Sequence, residues 1–200
     1  NASRPPAART VRIALGVPCR SKTRQPPEAL PLLTALAPSL ADTLRHEPSA
    51  RARATFSYTL LIGFDKGDPS YDHPSTLDAL LELLRALFAG LPVRVEAVRY
   101  GGEDKGAPCW VWNKLFARAC TAGTDYFYQL NDDLLLLSEG WAARFVSHLE
   151  GSSPPGFGIA GPLDLNNERL MTQSFASCTH LRIFDFYYPW VFKNWFSDDW

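Results

Sequence analysis

The chain has little cysteine and no motif that organises it. Cys19, Cys109, Cys120 and Cys178 show no CxxC spacing, and His46, His73, His148 and His180 complete no zinc pattern with them. Four buried or unpaired thiols are the default expectation, with one disulfide as the alternative. Charge of either sign is not in excess: the formal net charge is −1, so nothing global points to nucleic acid or an anionic membrane, and any phosphate binding must be local. No apolar run approaches the roughly 20 residues of a membrane span, and no secretory signal precedes Val11. The dinucleotide order GxGxxG is missing as well, since Gly101-Gly102 is followed by Glu103-Asp104-Lys105-Gly106.

What is present is the composition of a soluble globular domain, 46% hydrophobic and 20% charged over 200 residues. Residues 1–10, rich in Pro, Ala and Arg, read as a flexible N-terminal tail. Residues 11–200 read as a single domain. Asn1 rather than Met at the first position suggests a fragment whose targeting segment has been lost, and the aromatic, acidic end at Trp200 suggests a domain truncated there.

Periodicity predicts strands alternating with helices. Val11 to Val17, Thr55 to Phe64 and Val93 to Val98 have strand patterns. Pro27 to Leu44 has helical spacing interrupted by Pro31 and Pro38, which implies two short helices or a kinked one. Leu77 to Phe88 is the clearest helix, with Ser75 or Thr76 as its expected cap and Gly90 and Pro92 beyond its end. Trp110 to Cys120 and Glu139 to Leu149 are further helices, and Phe157 to Gly161 is a short strand. Met171 to Phe186 suits a strand, or a strand and a helix. Such alternation implies an α/β fold with a mixed, mainly parallel sheet flanked by helices on both faces.

The most informative stretch is Asp125 to Leu137. A short, apolar and aromatic strand from Tyr126 to Leu130 ends abruptly in Asn131-Asp132-Asp133. In open α/β sheets ligands bind at the carboxyl ends of strands. Adjacent carboxylates repel, so burying them requires a cation, hydrogen-bond donors or water, and hard oxygen ligands favour Mg²⁺ or Mn²⁺. The competing reading is an exposed acidic turn that caps the next element. Other candidates follow the first two strands: Pro18-Cys19-Arg20-Ser21-Lys22 supplies two cations, and Asp65 opens a turn. The terminal stretch from Phe186 to Trp200 pairs large aromatics with Asp198-Asp199, which suits gripping a flat polar ligand while presenting a carboxylate; its competing reading is a hydrophobic segment that packs against residues further on.

From Gly106 to Asp133 the chain resembles the nucleotide-sugar-binding half of GT-A fold glycosyltransferases. There, a helix bearing an Asn leads through an Ala/Gly-rich turn and a strand to a DxD motif. The matching parts are Asn113-Lys114, Ala119 to Gly123, the strand from Asp125, and Asn131-Asp132-Asp133. The resemblance implies that Pro18, Cys19, Arg20, Lys22, Asp65, Asn113, Asn131 and Asp132 bind a nucleoside-diphosphate sugar. It implies Asp133, helped by Asp132, as metal ligands for Mn²⁺ or Mg²⁺, and Asp199, or else Asp198, as the catalytic base of an inverting mechanism. Trp190, Trp195 and Trp200 would stack on sugar faces. The expected acceptor is a glycan, protein or lipid, with no nucleic acid, and the expected location is the Golgi or secretory lumen in a eukaryote and the cytoplasm otherwise. Two departures stand out: Asn131 replaces the first Asp of the motif, and no late His follows as a third ligand, because His180 precedes the terminal acidic pair. A nucleotidyltransferase of the same fold is one alternative, although Gly16 to Arg20 makes a poor phosphate loop. A non-catalytic carbohydrate- or nucleotide-binding domain is the other.

Overall fold

The first strand, β1 (Arg9–Pro18), runs through the centre of the sheet. It is flanked on one side by β2 (Ala54–Asp65) and on the other by β4 (Tyr126–Gln129), both parallel to it. The computed structural model describes residues 9–46, 54–101, 105–167, 169–194 and 197–199. Arg9 and Thr10 belong to β1, so the expected tail is two residues shorter at its inner end, and the rest of it lies outside the described residues. β3 (Val93–Tyr100) extends the sheet in parallel beyond β2. On the other side, β6 (Phe175–Ser177) pairs antiparallel with β4, and β5 (Ile159–Ala160) pairs antiparallel with β6. The order is β3-β2-β1-β4-β6-β5. The sheet is therefore mixed and mainly parallel.

Alternation along the strands divides the core in two. Val11, Ile13, Leu15 and Val17 of β1, with Tyr126 and Tyr128 of β4, face one layer. Its helices are α1 (Ala37–Arg45), α2 (Pro74–Leu87) and α4 (Trp141–Glu150). Ala14, Leu61, Phe127 and Ala176 face the other layer, formed by α3 (Pro108–Thr121) together with Tyr187 and Tyr188. Glycines make room on this face for the Phe127 ring of β4 and for Val111 of α3. A Cβ at Gly16 would fall 2.1 Å from the Phe127 ring, and one at Gly63 would fall 2.7 Å from Val111. At both places a methyl group would overpack the interface.

Several local expectations shift by a few residues. The Pro-interrupted segment is a short 3-10 helix at Pro27–Ala29 followed by one unbroken helix over 31–45, π-helical at Leu32–Leu36 and continuing as α1. α2 begins earlier than its hydroxyls suggested, with Pro74 in its first turn and His73 as the flanking residue, because proline's fixed φ suits a helix start. α4 begins at Trp141 rather than Glu139, after Gly140 in the left-handed region. Met171 to Phe186 resolves into β6 followed by α5 (Thr179–Phe184).

The expectation of four thiols is corrected by a disulfide. Cys120, near the end of α3, bonds Cys178, just after β6, across a sequence separation of 58. Only the packing of α3 against the far half of the sheet brings the two together, which is why spacing did not reveal the pair. Cys19 and Cys109 remain free and buried.

Candidate functional site

The strand order reverses between β1 and β4: from β1 the chain moves outward to β2 and β3, and from β4 it moves the opposite way to β6 and β5. Crevices open at such points, outside the carboxyl ends of the strands. Here the split can be followed bond by bond. Leu130 N donates to Gly16 O at 3.0 Å, while Cys19 N, three residues further along the first strand's path, donates instead to Gly63 O of β2 at 2.7 Å. Trp112 of α3 closes the crevice from one side, its indole N–H lying 3.2 Å from Gly16 O and 3.3 Å from Leu130 O.

On the β1–β2 side lies a cleft of about 200 Å³, lined by residues that include Pro18, Cys19, Arg20, Asp65, Ala107 and Asn194. Four of the residues expected at a nucleotide site are thus brought together. The exposed guanidinium of Arg20 extends toward Gly106, whose φ of +78° needs a residue without a side chain. Removing that cation is expected to weaken binding of a nucleoside diphosphate about tenfold, the worth of one charge-assisted hydrogen bond. Arg20 is exposed, so the thermal midpoint of Arg20→Ala should stay that of the unmutated protein. A lowered midpoint with unchanged affinity would make Arg20 structural. Lys22 is also exposed but does not line the cleft.

The wall of this cleft is held by a residue that the sequence did not single out. The carboxylate of Asp68, buried, accepts hydrogen bonds from Ser21 N at 2.7 Å, Ser70 N at 3.0 Å and Tyr71 N at 2.8 Å, and from the Ser21 hydroxyl. Ser70 Oγ accepts from Gln25 N at 2.9 Å and donates to Thr23 O at 3.3 Å. The loops after β1 and β2 are therefore tied into one unit. The sequence Asp68-Pro69-Ser70 carries a detectable signal, since Asp ahead of Pro and Ser is suited to accepting backbone N–H groups in a turn.

On the β4 side, Asn131, Asp132 and Asp133 stand at the strand's carboxyl end, where the sequence placed them. Asp132 and Asp133 differ in setting: Asp133 is exposed, whereas Asp132 is partly buried. Burial first, and the neighbouring charge of Asp133 second, push the Asp132 carboxyl up to about 6. Its Oδ2 lies 3.5 Å from the hydroxyl of Tyr71, a fully buried ring. Burial raises the Tyr71 phenol and the Cys19 thiol well above their ordinary values, so both stay protonated and neutral beneath the carboxylates. A chain of contacts from Cys19 through Tyr71 to Asp132 connects the cleft with the acidic end of β4.

Asn113 is not available to a ligand. It is 2% exposed; its Oδ1 accepts from Tyr187 N at 3.0 Å and Tyr188 N at 2.7 Å, and its Nδ2 donates to Tyr188 O at 2.8 Å. The amide holds the C-terminal segment against α3 and plays no part in the cleft. Further along, Trp110 Nε1 donates to Trp190 O at 2.9 Å and Cys109 N donates to Lys193 O at 3.1 Å. Asn194 so reaches the cleft rim. Ser197–Asp199 forms a 3-10 turn tied back by Ser197 Oγ to Asn194 O at 3.1 Å, with Asp199 exposed. The Asp198 side chain, Trp195 and Trp200 lie outside the described residues.

The residues at the end of β4 fit a divalent cation in one respect. Asp132 and Asp133 are adjacent hard-oxygen donors, the charge of Asp133 penalises that of Asp132, and a cation would relieve that penalty. Among the described residues no third His, Cys, Asp or Glu joins them in a metal-holding group. His180 is instead buried among the rings of Phe116, Phe184 and Tyr187. Mg²⁺ and Mn²⁺ are commonly held by one or two carboxylates with water and substrate phosphates, so two suffice. Searched against protein-family models and against curated proteins, the chain matches neither.

Proposed function

We propose that this domain binds a nucleoside-diphosphate sugar and transfers the sugar to an acceptor hydroxyl, in the manner of GT-A glycosyltransferases. The observation that carries the reading is the placement of two chemically different groups at one sheet end, either side of the point where strand order reverses: a cleft containing Arg20 and Asp65, and a carboxylate pair at Asp132 and Asp133. A nucleoside and its phosphates suit the first, and a metal-bound diphosphate suits the second.

Each residue then has a defined task. Arg20 offers hydrogen bonds to phosphate oxygens, and Asp65 offers an acceptor to the nucleoside. Asp132 and Asp133 would hold Mg²⁺ or Mn²⁺, which when bound neutralises charge developing on the departing diphosphate. Tyr71 and Cys19, both neutral, support Asp132 without adding charge. In the transfer step the acceptor oxygen bonds to the anomeric carbon, the bond from that carbon to the diphosphate oxygen breaks, and the electron pair leaves with the diphosphate. The acceptor's proton passes to a carboxylate, for which Asp199 is the proposed base. The Cys120–Cys178 disulfide supports residence in an oxidising compartment such as the secretory lumen.

Asn131, uncharged where the motif has its first Asp, favours as a second reading a domain that binds nucleotide sugars without turning them over. Titration calorimetry with UDP and GDP, with Mn²⁺ and with EDTA, tests the common ground of both. The expected result is binding that requires the metal. A folded protein that gives no heat with either nucleotide would sink the transferase reading and the binding-domain reading together.

A further inference from the structure

β6 delivers one more polar side chain to the carboxyl end of the sheet. Tyr128 pairs with Phe175 across the antiparallel β4–β6 ladder, and Gln129 N donates to Ser174 O at 2.9 Å. Extending that register by one step sets Gln173 opposite Leu130, immediately before Asn131-Asp132-Asp133. Phe175 packs in the layer that contains Cys19, Tyr71 and Leu130, while Ala176 packs in the other. Gln173 lies in the bend just before β6, next to Ser174, whose hydroxyl meets Tyr187 of the other layer.

Gln173 is only 8% exposed, yet its Oε1 is buried without a hydrogen-bond partner among the described residues. Its main chain has little freedom to adjust. Ser174 N donates to Gln129 Oε1 at 3.1 Å, and Thr172 Oγ1 donates to Asp164 Oδ2 at 2.7 Å. Gly161 presses so close that a Cβ there would lie 2.4 Å from Gln173 O. A buried amide oxygen with no donor is unfavourable, and an apolar side chain of the same size would avoid the penalty. Such groups are rare in folded proteins and call for an explanation, of which a bound partner is one. The hydroxyl of Tyr128 and the indole N–H of Trp141 are also unpartnered, but they sit deeper, with their rings 5.1 Å apart in the mid-sheet core.

We propose that Gln173 reads the sugar: its Oε1 accepts a hydrogen bond from a hydroxyl or acetamido N–H of the sugar carried by the nucleoside diphosphate. This rests on the transferase reading above and narrows it. A sugar offers several donors, whereas an ionised diphosphate offers none, so the contact distinguishes the conjugate from the bare nucleotide. A neutral acceptor also suits a place beside two carboxylates, where a further negative charge would repel the diphosphate.

The test compares UDP and GDP with their glucose, galactose, mannose and N-acetylglucosamine conjugates in Mn²⁺, by calorimetry, on the unmutated protein and on Gln173→Met, which keeps length and loses the amide. Affinity for the bare nucleotide should stay within about twofold, while affinity for the preferred conjugate should fall about tenfold or more. Gln173→Asn, which draws the oxygen back by one methylene, should give a smaller loss of the same kind and serves if the Met variant does not fold. Conjugate affinity unchanged in the folded variant overturns the assignment. So does an unmutated protein that binds conjugates no more tightly than bare nucleotides, and that outcome leaves nucleotide binding itself standing. Failure of the unmutated protein to bind any nucleotide removes the transferase reading and this inference with it.

Discussion

Asp132→Asn is expected to make the metal-free protein more stable at pH 7.5, by about 2–3 kcal/mol, while it weakens metal-dependent nucleotide binding. The gain comes from the carboxyl's displacement to about 6, caused by burial first and Asp133 second, and each unit of such displacement corresponds to about 1.4 kcal/mol. The folded carboxyl holds its proton more tightly than the unfolded one. Stability therefore falls as pH rises from about 4, near the unfolded value, through about 6, and the full penalty is present above that window. Asparagine has no charge to bury, and its carbonyl can still accept from Tyr71. The advantage of Asp132→Asn should accordingly be complete at pH 7.5, shrink through pH 6 and vanish near pH 4, where the aspartate is neutral in both states. Urea denaturation in EDTA at those three pH values measures it. A stability difference independent of pH would mean that the charge at position 132 carries no penalty and that the acidic pair needs no cation.

How much of this was legible beforehand depends on whether the signal is local. The four parallel strands were found to within a few residues, because an apolar run that stops at Pro, Gly or Asp is visible in a short window. The place of Asn131-Asp132-Asp133 at a strand end was legible for the same reason. Its electrostatics were not, since they depend on Tyr71 arriving from a loop sixty-one positions away in the chain. Asn113 shows the limit from the other side: an amide on a helix was readable, but its use is set by the backbone of Tyr187 and Tyr188 folding across it. Asp65 and Asp68 look alike in their turn. What separates them is the loop after β1, which brings the Ser21 N–H to Asp68 and leaves Asp65 lining the cleft. Gln173 had no signal at all, because an unpaired oxygen is a property of packing.

The two acidic pairs should separate when binding and turnover are measured apart. A ligand to the metal acts on the leaving diphosphate, so Asp133→Asn should weaken nucleotide affinity in Mn²⁺ and lower transfer together. A base acts only on the acceptor's proton. Asp199→Asn should therefore keep donor affinity and lose turnover by roughly 10²–10⁴-fold, the usual worth of a positioned general base. Asp199 is exposed on a turn that Ser197 anchors to Asn194 at the cleft rim, so the substitution should leave the fold intact and the comparison clean. Among the described residues no hydrogen bond or ion pair joins Asp199 to the acidic end of β4, which is why the two effects are expected to be independent and the double variant additive in donor affinity. Full-length protein, with calorimetry for the donor and product formation for turnover, supplies both readings. Transfer at the unmutated rate in Asp199→Asn, with transfer lost in Asp198→Asn, would move the base by one residue. If neither substitution matters while Asp133→Asn still abolishes binding, the terminal acidic pair is packing, and the domain holds its nucleotide sugar without that base.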